Sequence, residues 1–182
     1  MRVIDAAIGA LWIGFWVYWM ASAVGVKAGR KRSTRFLGAR VVVVLVVIAL
    51  LRGGVLGEHA VTRDRAVGVA GFVAVGAGLG LAVWARRHLG RNWGMPMTQK
   101  VEPELVTSGP YRRIRHPIYS GIILAMIGTA IATSMYGLIL VLVLSGFFVY
   151  SARTEERYLA EEFPESYPKY RRSTKMLIPF VY

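Results

Sequence analysis

The chain has 182 residues, one domain's worth, and is 55% hydrophobic with a mean hydropathy of +0.46, more apolar than a soluble domain. Its net charge of +13 would point a soluble chain toward nucleic acid. Here Lys and Arg fall in short clusters between apolar runs, as in membrane proteins that hold cations on the cytoplasmic side beside anionic lipid, so nucleic acid is not expected as a partner. The absence of cysteine excludes disulfides, thiolate metal sites and a cysteine nucleophile, and no metal site is expected.

Uncharged runs cover 6–26, 66–85 and 117–152, and about 20 apolar residues suffice to cross roughly 30 Å of hydrocarbon. The first span, about 4–26, carries Trp12, Trp16, Tyr18 and Trp19, aromatic residues that suit a membrane interface. Ala21-Ser22-Ala23 mimics a signal-peptidase site, but the apolar run is long for a leader, so a retained span is expected. A cluster of five cations at 27–35 follows, then a second span at 36–57 whose valine run must be helical, because a lone strand cannot satisfy its backbone in lipid.

The third span, 66–85, is rich in glycine. Gly76 and Gly80 form a GxxxG pair that would allow close helix packing. Gly76-Ala77-Gly78 lacks both the spacing and the preceding strand of a dinucleotide loop. Residues 86–116 form the longest segment without apolar character and hold seven cations against Glu102 and Glu104. As one helix, 117–152 would be about 54 Å long, too much for a bilayer. Thr133 to Gly137 offers a break, giving spans at 117–134 and 137–152, with Pro117 suited to a first helical turn.

The expected fold is therefore an all-α integral membrane protein with five transmembrane helices in one 1–182 domain. Five spans put 27–35, 86–116 and the tail, which together hold most of the 23 Lys and Arg residues, on one face. The positive-inside rule makes that face cytosolic and leaves the N-terminus outside. The 86–116 loop and the C-terminal tail would then build a cytosolic pocket. A prokaryotic-type plasma membrane is favoured, or the endoplasmic reticulum in a eukaryote.

That arrangement brings the cations and His116 of the loop to the edge where Glu155 and Glu156 leave the membrane. Ionisable residues at such an edge are costly and point to function. Cations and carboxylates together suit a small ligand carrying both signs of charge. The duller readings are a helix cap for His116, surface charges facing phosphate for Arg112 and Arg113, and a solvated face for the glutamates.

Leu105-Val106-x-x-Gly109-Pro110-Tyr111, followed by Arg115-His116-Pro117-x-Tyr119-x-Gly121, resembles the signature of the isoprenylcysteine carboxyl methyltransferase family and its phospholipid N-methyltransferase relatives. Glu155-Glu156-x-x-Leu159, Phe163, Tyr167-x-x-Tyr170 and Ile178-Pro179-Phe180 follow in the same order. The likeness covers about 95–182.

The resemblance implies a membrane methyltransferase using S-adenosylmethionine at the cytosolic face, with a lipophilic acceptor entering from the bilayer. It implies cofactor contacts from Leu105, Val106, Gly109, Pro110 and Tyr111, and from Arg115, His116, Tyr119, Glu155 and Glu156. Gly76 and Gly78 would approach the same ligand. Glu156, Arg171 and Arg172 are the candidate catalytic residues. Carboxylates can pair an ammonium, and Arg can grip a carboxylate through two parallel bonds. A carboxylate acceptor is already ionised and needs only a cation, for which Arg153, Arg171 and Arg172 are candidates. An amine acceptor would ask Glu156 or His116 to take a proton.

The first expectation for the acceptor is the carboxylate of an isoprenylated cysteine or a similar prenyl-thioether acid. A phospholipid or other lipid amine is the alternative. Outside this reaction class stand an NADPH-dependent sterol-type reductase, with Arg112 and Arg113 at a 2′-phosphate, and a non-enzymatic membrane protein on the same scaffold.

Overall fold

The computed structural model describes residues 2–24, 64–94, 103–134 and 136–179, together with Gly38 and Val41. The expected span at 36–57 and the cation cluster at 27–35 lie outside the described residues. Four long helices are described: α1 (Arg2–Ser22), α2 (Arg65–Leu89), α3 (Pro117–Thr133) and α4 (Gly137–Glu162), followed by a short α5 (Ser166–Ser173).

The helix ends follow local chemistry. Asp64 caps α2 by accepting from the Ala66 amide at 2.7 Å, and Gly90 ends it at φ +52°, a backbone that favours glycine. Pro117 opens α3 in the first turn, where its missing N–H costs no hydrogen bond. The apolar run does break as expected: α3 stops at Thr133, Ser134 is extended, and α4 starts at Gly137. Two helices run on past their apolar runs, the last of them through the charged turns to just before Pro164. α2 continues through Arg86 to Leu89, and α4 carries its charged turns, including Glu155 and Glu156, to Glu162.

Among the described residues, Val3–Ser22, Arg65–Asn92 and Gly137–Glu162 are long and apolar enough to cross a membrane. Helix α3, with 17 residues, is shorter. Val3, Ile13 and Val17 on α1, Val73 on α2 and Leu142 on α4 face outward. Exposed apolar surface on several helices suits lipid rather than water.

Helices α2 and α3 pack antiparallel through small residues. A Cβ on Gly78 would stand 2.5 Å from the Gly121 carbonyl oxygen, and one on Gly71 would stand 2.6 Å from that of Gly128. These glycines lie two helical turns apart on each helix, so they share one face. The GxxxG pair does not serve this contact. Gly76 and Gly80 have no atom within 4 Å of a notional Cβ, because they lie on other faces of the helix.

Helix α1 packs on α2 and α3 through Ile8 and Phe15, and the Trp12 indole donates to Thr129 Oγ1 at 3.0 Å. Its C-terminal end meets the C-terminal end of α2, where Arg86 donates to the Ser22 carbonyl. The two helices therefore run parallel. At the same end lie the start of α3 and the charged end of α4. The tail closes this end by pairing Lys175 with Ile114 in a parallel bridge.

Candidate functional site at the charged end of the bundle

The tail is fixed against the segment before α3 by backbone bonds. The Arg115 amide donates to Lys175 O at 2.8 Å, His116 N to Met176 O at 3.1 Å, and Lys175 N to Arg113 O at 3.1 Å. Ser120 Oγ donates to Leu177 O at 2.6 Å, and Tyr170 OH to Tyr111 O at 2.7 Å. The residues on either side of the α3–α4 hairpin are thus stitched together before any ligand is considered.

Arg115 is the centre of this stitching. Its Nε donates to Glu156 Oε1 at 2.7 Å, and its Nη1 donates to Thr174 O at 2.6 Å. Both side chains are about nine-tenths buried, so each charge depends on the other. His116 lies between two carboxylates, with Nδ1 at 3.6 Å from Glu155 and Nε2 at 3.4 Å from Glu156. Its Nε2 is buried and makes no hydrogen bond among the described residues. Tyr119 donates to Glu155 at 2.6 Å, and its ring is stacked between those of His116 and Phe148.

These groups face a cavity of about 730 Å³. Arg115, His116, Tyr119 and Glu155 form part of its polar wall, with Glu104 and Glu162. Trp16, Trp19 and Met20 of α1 face it with Ile122 and Phe148 as an apolar wall. Asn92 Nδ2 donates to Glu104 at 3.1 Å and steadies that carboxylate at the wall. Burial holds the Tyr111 phenol protonated far above its ordinary range, and Tyr170 and Glu155 push it the same way.

Of the residues singled out from the sequence as cofactor contacts, Leu105, Val106, Tyr111, Arg115, His116, Tyr119 and Glu155 line the cavity. Gly109, Pro110 and Glu156 are not among its lining residues. Gly109 has φ +58° and packs against the His88 ring, which a Cβ would strike, so it shapes the loop from behind. Glu156 stands behind the wall as the counter-ion of Arg115. Arg171 is 64% exposed and only 3.7 Å from Glu156, while Arg172 and Arg153 are exposed. None of these three arginines lines the cavity. Gly78 cannot approach a ligand there, because Gly121 and Ala125 occupy the space beside it.

Sequence reasoning missed the contribution of α1, and of Asn92, Trp93, Glu104, Phe148 and Tyr158. The only signal was the run of aromatic residues closing the first span. It reads equally as an interface belt, because it says nothing about which helix lies opposite.

An apolar bundle with outward-facing aliphatic side chains defines an integral membrane protein, and the charged cavity at one end is its candidate site. The sequence model of phospholipid methyltransferases matches residues 67–166, and the chain belongs to that family. It is similar to the cobalt-zinc-cadmium resistance protein CzcN of Cupriavidus metallidurans, with 36% identity over 56% of this chain and 48% of that protein. It is also 32% identical to the nickel-cobalt-cadmium resistance protein NccN of Alcaligenes xylosoxydans xylosoxydans, over 77% of this chain and 62% of that one. Protein-S-isoprenylcysteine O-methyltransferase of Schizosaccharomyces pombe is 38% identical over 42% of this chain and 34% of its own length. The chain thus spans between a third and two thirds of these relatives. Its fold matches a eukaryotic intramembrane Ras methyltransferase (isoprenylcysteine carboxyl methyltransferase) with a TM-score of 0.58 at 24% identity, over 84% of this chain and 55% of that one. The resemblance read from the 105–121 motif and the paired glutamates thus agrees with the family, with the named relative and with the fold.

Proposed function

We propose that this protein transfers a methyl group from S-adenosylmethionine to a lipophilic acceptor. The observation that carries this reading is the cavity itself, where Arg115 and His116 before α3 meet Glu155 of α4 opposite an apolar wall from α1. Its size lies within the range of pockets that take ligands of this kind. Its donor set suits a ligand with an ammonium, a carboxylate and a planar base.

When bound, S-adenosylmethionine supplies an electrophilic methyl group on a sulfonium. Glu155, oriented by the Tyr119 hydroxyl, offers a carboxylate to a cation. Arg115 has Nε and Nη1 committed, and its Nη2 makes no hydrogen bond among the described residues, which leaves that edge for an anion. The aromatic and aliphatic wall excludes water, and in an in-line displacement alignment and exclusion of water carry most of the gain.

For the acceptor, the carboxylate of an isoprenylated cysteine or a similar prenyl-thioether acid comes first, in keeping with the name of the yeast relative. Such an acid is ionised at neutral pH, so no general base is needed. A phospholipid or other lipid amine, in keeping with the family name, would instead need a proton acceptor, for which His116 on the cavity wall is the candidate.

The five-span arrangement, with a cytosolic site and an outer N-terminus, belongs to the same proposal. The parallel run of α1 and α2 supports it, since the end of α1 and the start of α2 lie at opposite ends of the bundle. Calorimetry or thermal shift of detergent-solubilised protein with S-adenosylhomocysteine and NADPH tests the cofactor. Stabilisation by the first alone is expected, because a ligand bound only to the native state raises apparent stability. Stabilisation by NADPH alone would replace this reading with the reductase. Transfer of a radiolabelled methyl group to prenylcysteine analogues and lipid extracts then selects the acceptor.

A further inference from the structure

Arg86 lies one turn before the end of α2 and is 4% exposed, yet no carboxylate is paired with it among the described residues. Its Nη1 donates to Gly90 O at 2.7 Å and its Nη2 to Ser22 O, while Nε is buried without a partner. The guanidinium lies 4.7 Å from the centre of the Trp93 ring. A buried cation without a counter-ion is ordinarily costly. Two features offset the cost here. Ser22 and Gly90 close α1 and α2, and because these helices run parallel, their negative dipole ends converge on the same charge. The indole face adds a cation–π attraction.

Trp93 in turn meets Trp19 edge-on, with ring centres 5.5 Å apart at 88°. Both indoles line the cavity, and Trp93 packs in one cluster with Tyr111, Leu89 and Val106, which line it too. Arg86 does not line it. It touches the wall from behind and ties the end of α1 to the end of α2.

We propose that Arg86 is a positioning residue that latches Trp19 and Trp93 into a fixed edge-to-face aromatic corner, one indole face of which receives a purine nucleoside ligand. Indole faces suit a planar base irrespective of its hydrogen-bonding edge. The choice of ligand rests on the methyltransferase reading, whereas the latch rests on the contacts alone.

The test compares Arg86→Met, Arg86→Lys, Trp93→Leu and the Arg86→Met/Trp93→Leu pair in solubilised full-length protein. Two quantities are read: affinity for S-adenosylhomocysteine, and acrylamide quenching of the emission that is lost on Trp93→Phe substitution. Arg86→Met is expected to weaken binding about tenfold, the size of one base–aromatic stack, and to increase quenching. Arg86→Lys is expected to recover most of both. The double variant is expected to be no weaker than Trp93→Leu alone, since both act through one wall. A lower melting temperature with unchanged affinity and quenching would reduce Arg86 to a structural residue and overturn the proposal, as would additive losses in the double variant. Failure of the parent protein to bind S-adenosylhomocysteine would sink the methyltransferase reading instead. Quenching then decides the latch: an increase in Arg86→Met supports it, and no change overturns it.

Discussion

Arg115 holds Glu156 at 2.7 Å on one side and the Thr174 carbonyl at 2.6 Å on the other, so one guanidinium joins the start of α3, the end of α4 and the tail. The cavity wall depends on that joint, although Glu156 itself does not line the cavity. Removing one partner of a buried pair leaves the other charge uncompensated. Glu156→Gln should lower stability by about 3 kcal/mol and weaken S-adenosylhomocysteine binding by displacing Arg115. Thermal melts and calorimetry check this, and an unaltered melting temperature would show that the pair contributes nothing to the fold.

Tyr119 acts more locally. Its hydroxyl orients Glu155 at 2.6 Å while its ring stays stacked between His116 and Phe148. Tyr119→Phe keeps the stack and removes the hydrogen bond, so it should cost about 1 kcal/mol of stability. Ligand affinity should fall severalfold if Glu155 meets the ligand. A Tyr119→Phe protein with unchanged affinity would remove Glu155 from the binding account.

The helix interface separates two glycines that look alike in the sequence. Gly78→Ala would drive a methyl into the α3 backbone and should destabilise by about 1–3 kcal/mol. Gly76→Ala meets open space and should be neutral or stabilising by about 0.5 kcal/mol, since alanine is the better helix former. Parallel melting curves of the two variants make the comparison, and equal losses would contradict the packing of α2 on α3.

The phenols of Tyr111, Tyr167 and Tyr170 predict the alkaline limit. Burial comes first among the causes that raise all three above the ordinary value near 10. Below about pH 10 both folded and unfolded states keep these protons, and the stability that depends on neutral phenols is fully present. Above it the unfolded chain ionises first, so stability should be lost as pH rises. Melting temperature measured from pH 8 to 11 should fall at the upper end, and Tyr170→Phe should flatten the fall.

Read from residue order alone, the Arg115-His116-Pro117-x-Tyr119 string and the paired glutamates identified the family, because each is a short string that carries its own spacing and the two follow in a fixed order. Hydropathy likewise revealed the apolar runs and the break before Gly137, since each is a local property of helix length and charge. Tertiary structure decided which carboxylate faces the cavity and which stands behind it. Neighbours on a helix point about 100° apart, and only the packed partners show which direction is inward. The same rotation set Gly71 and Gly78, not Gly76 and Gly80, against α3. The parallel run of α1 and α2 brought Trp19 beside Trp93, a pairing of residues far apart in the chain that no local pattern could encode.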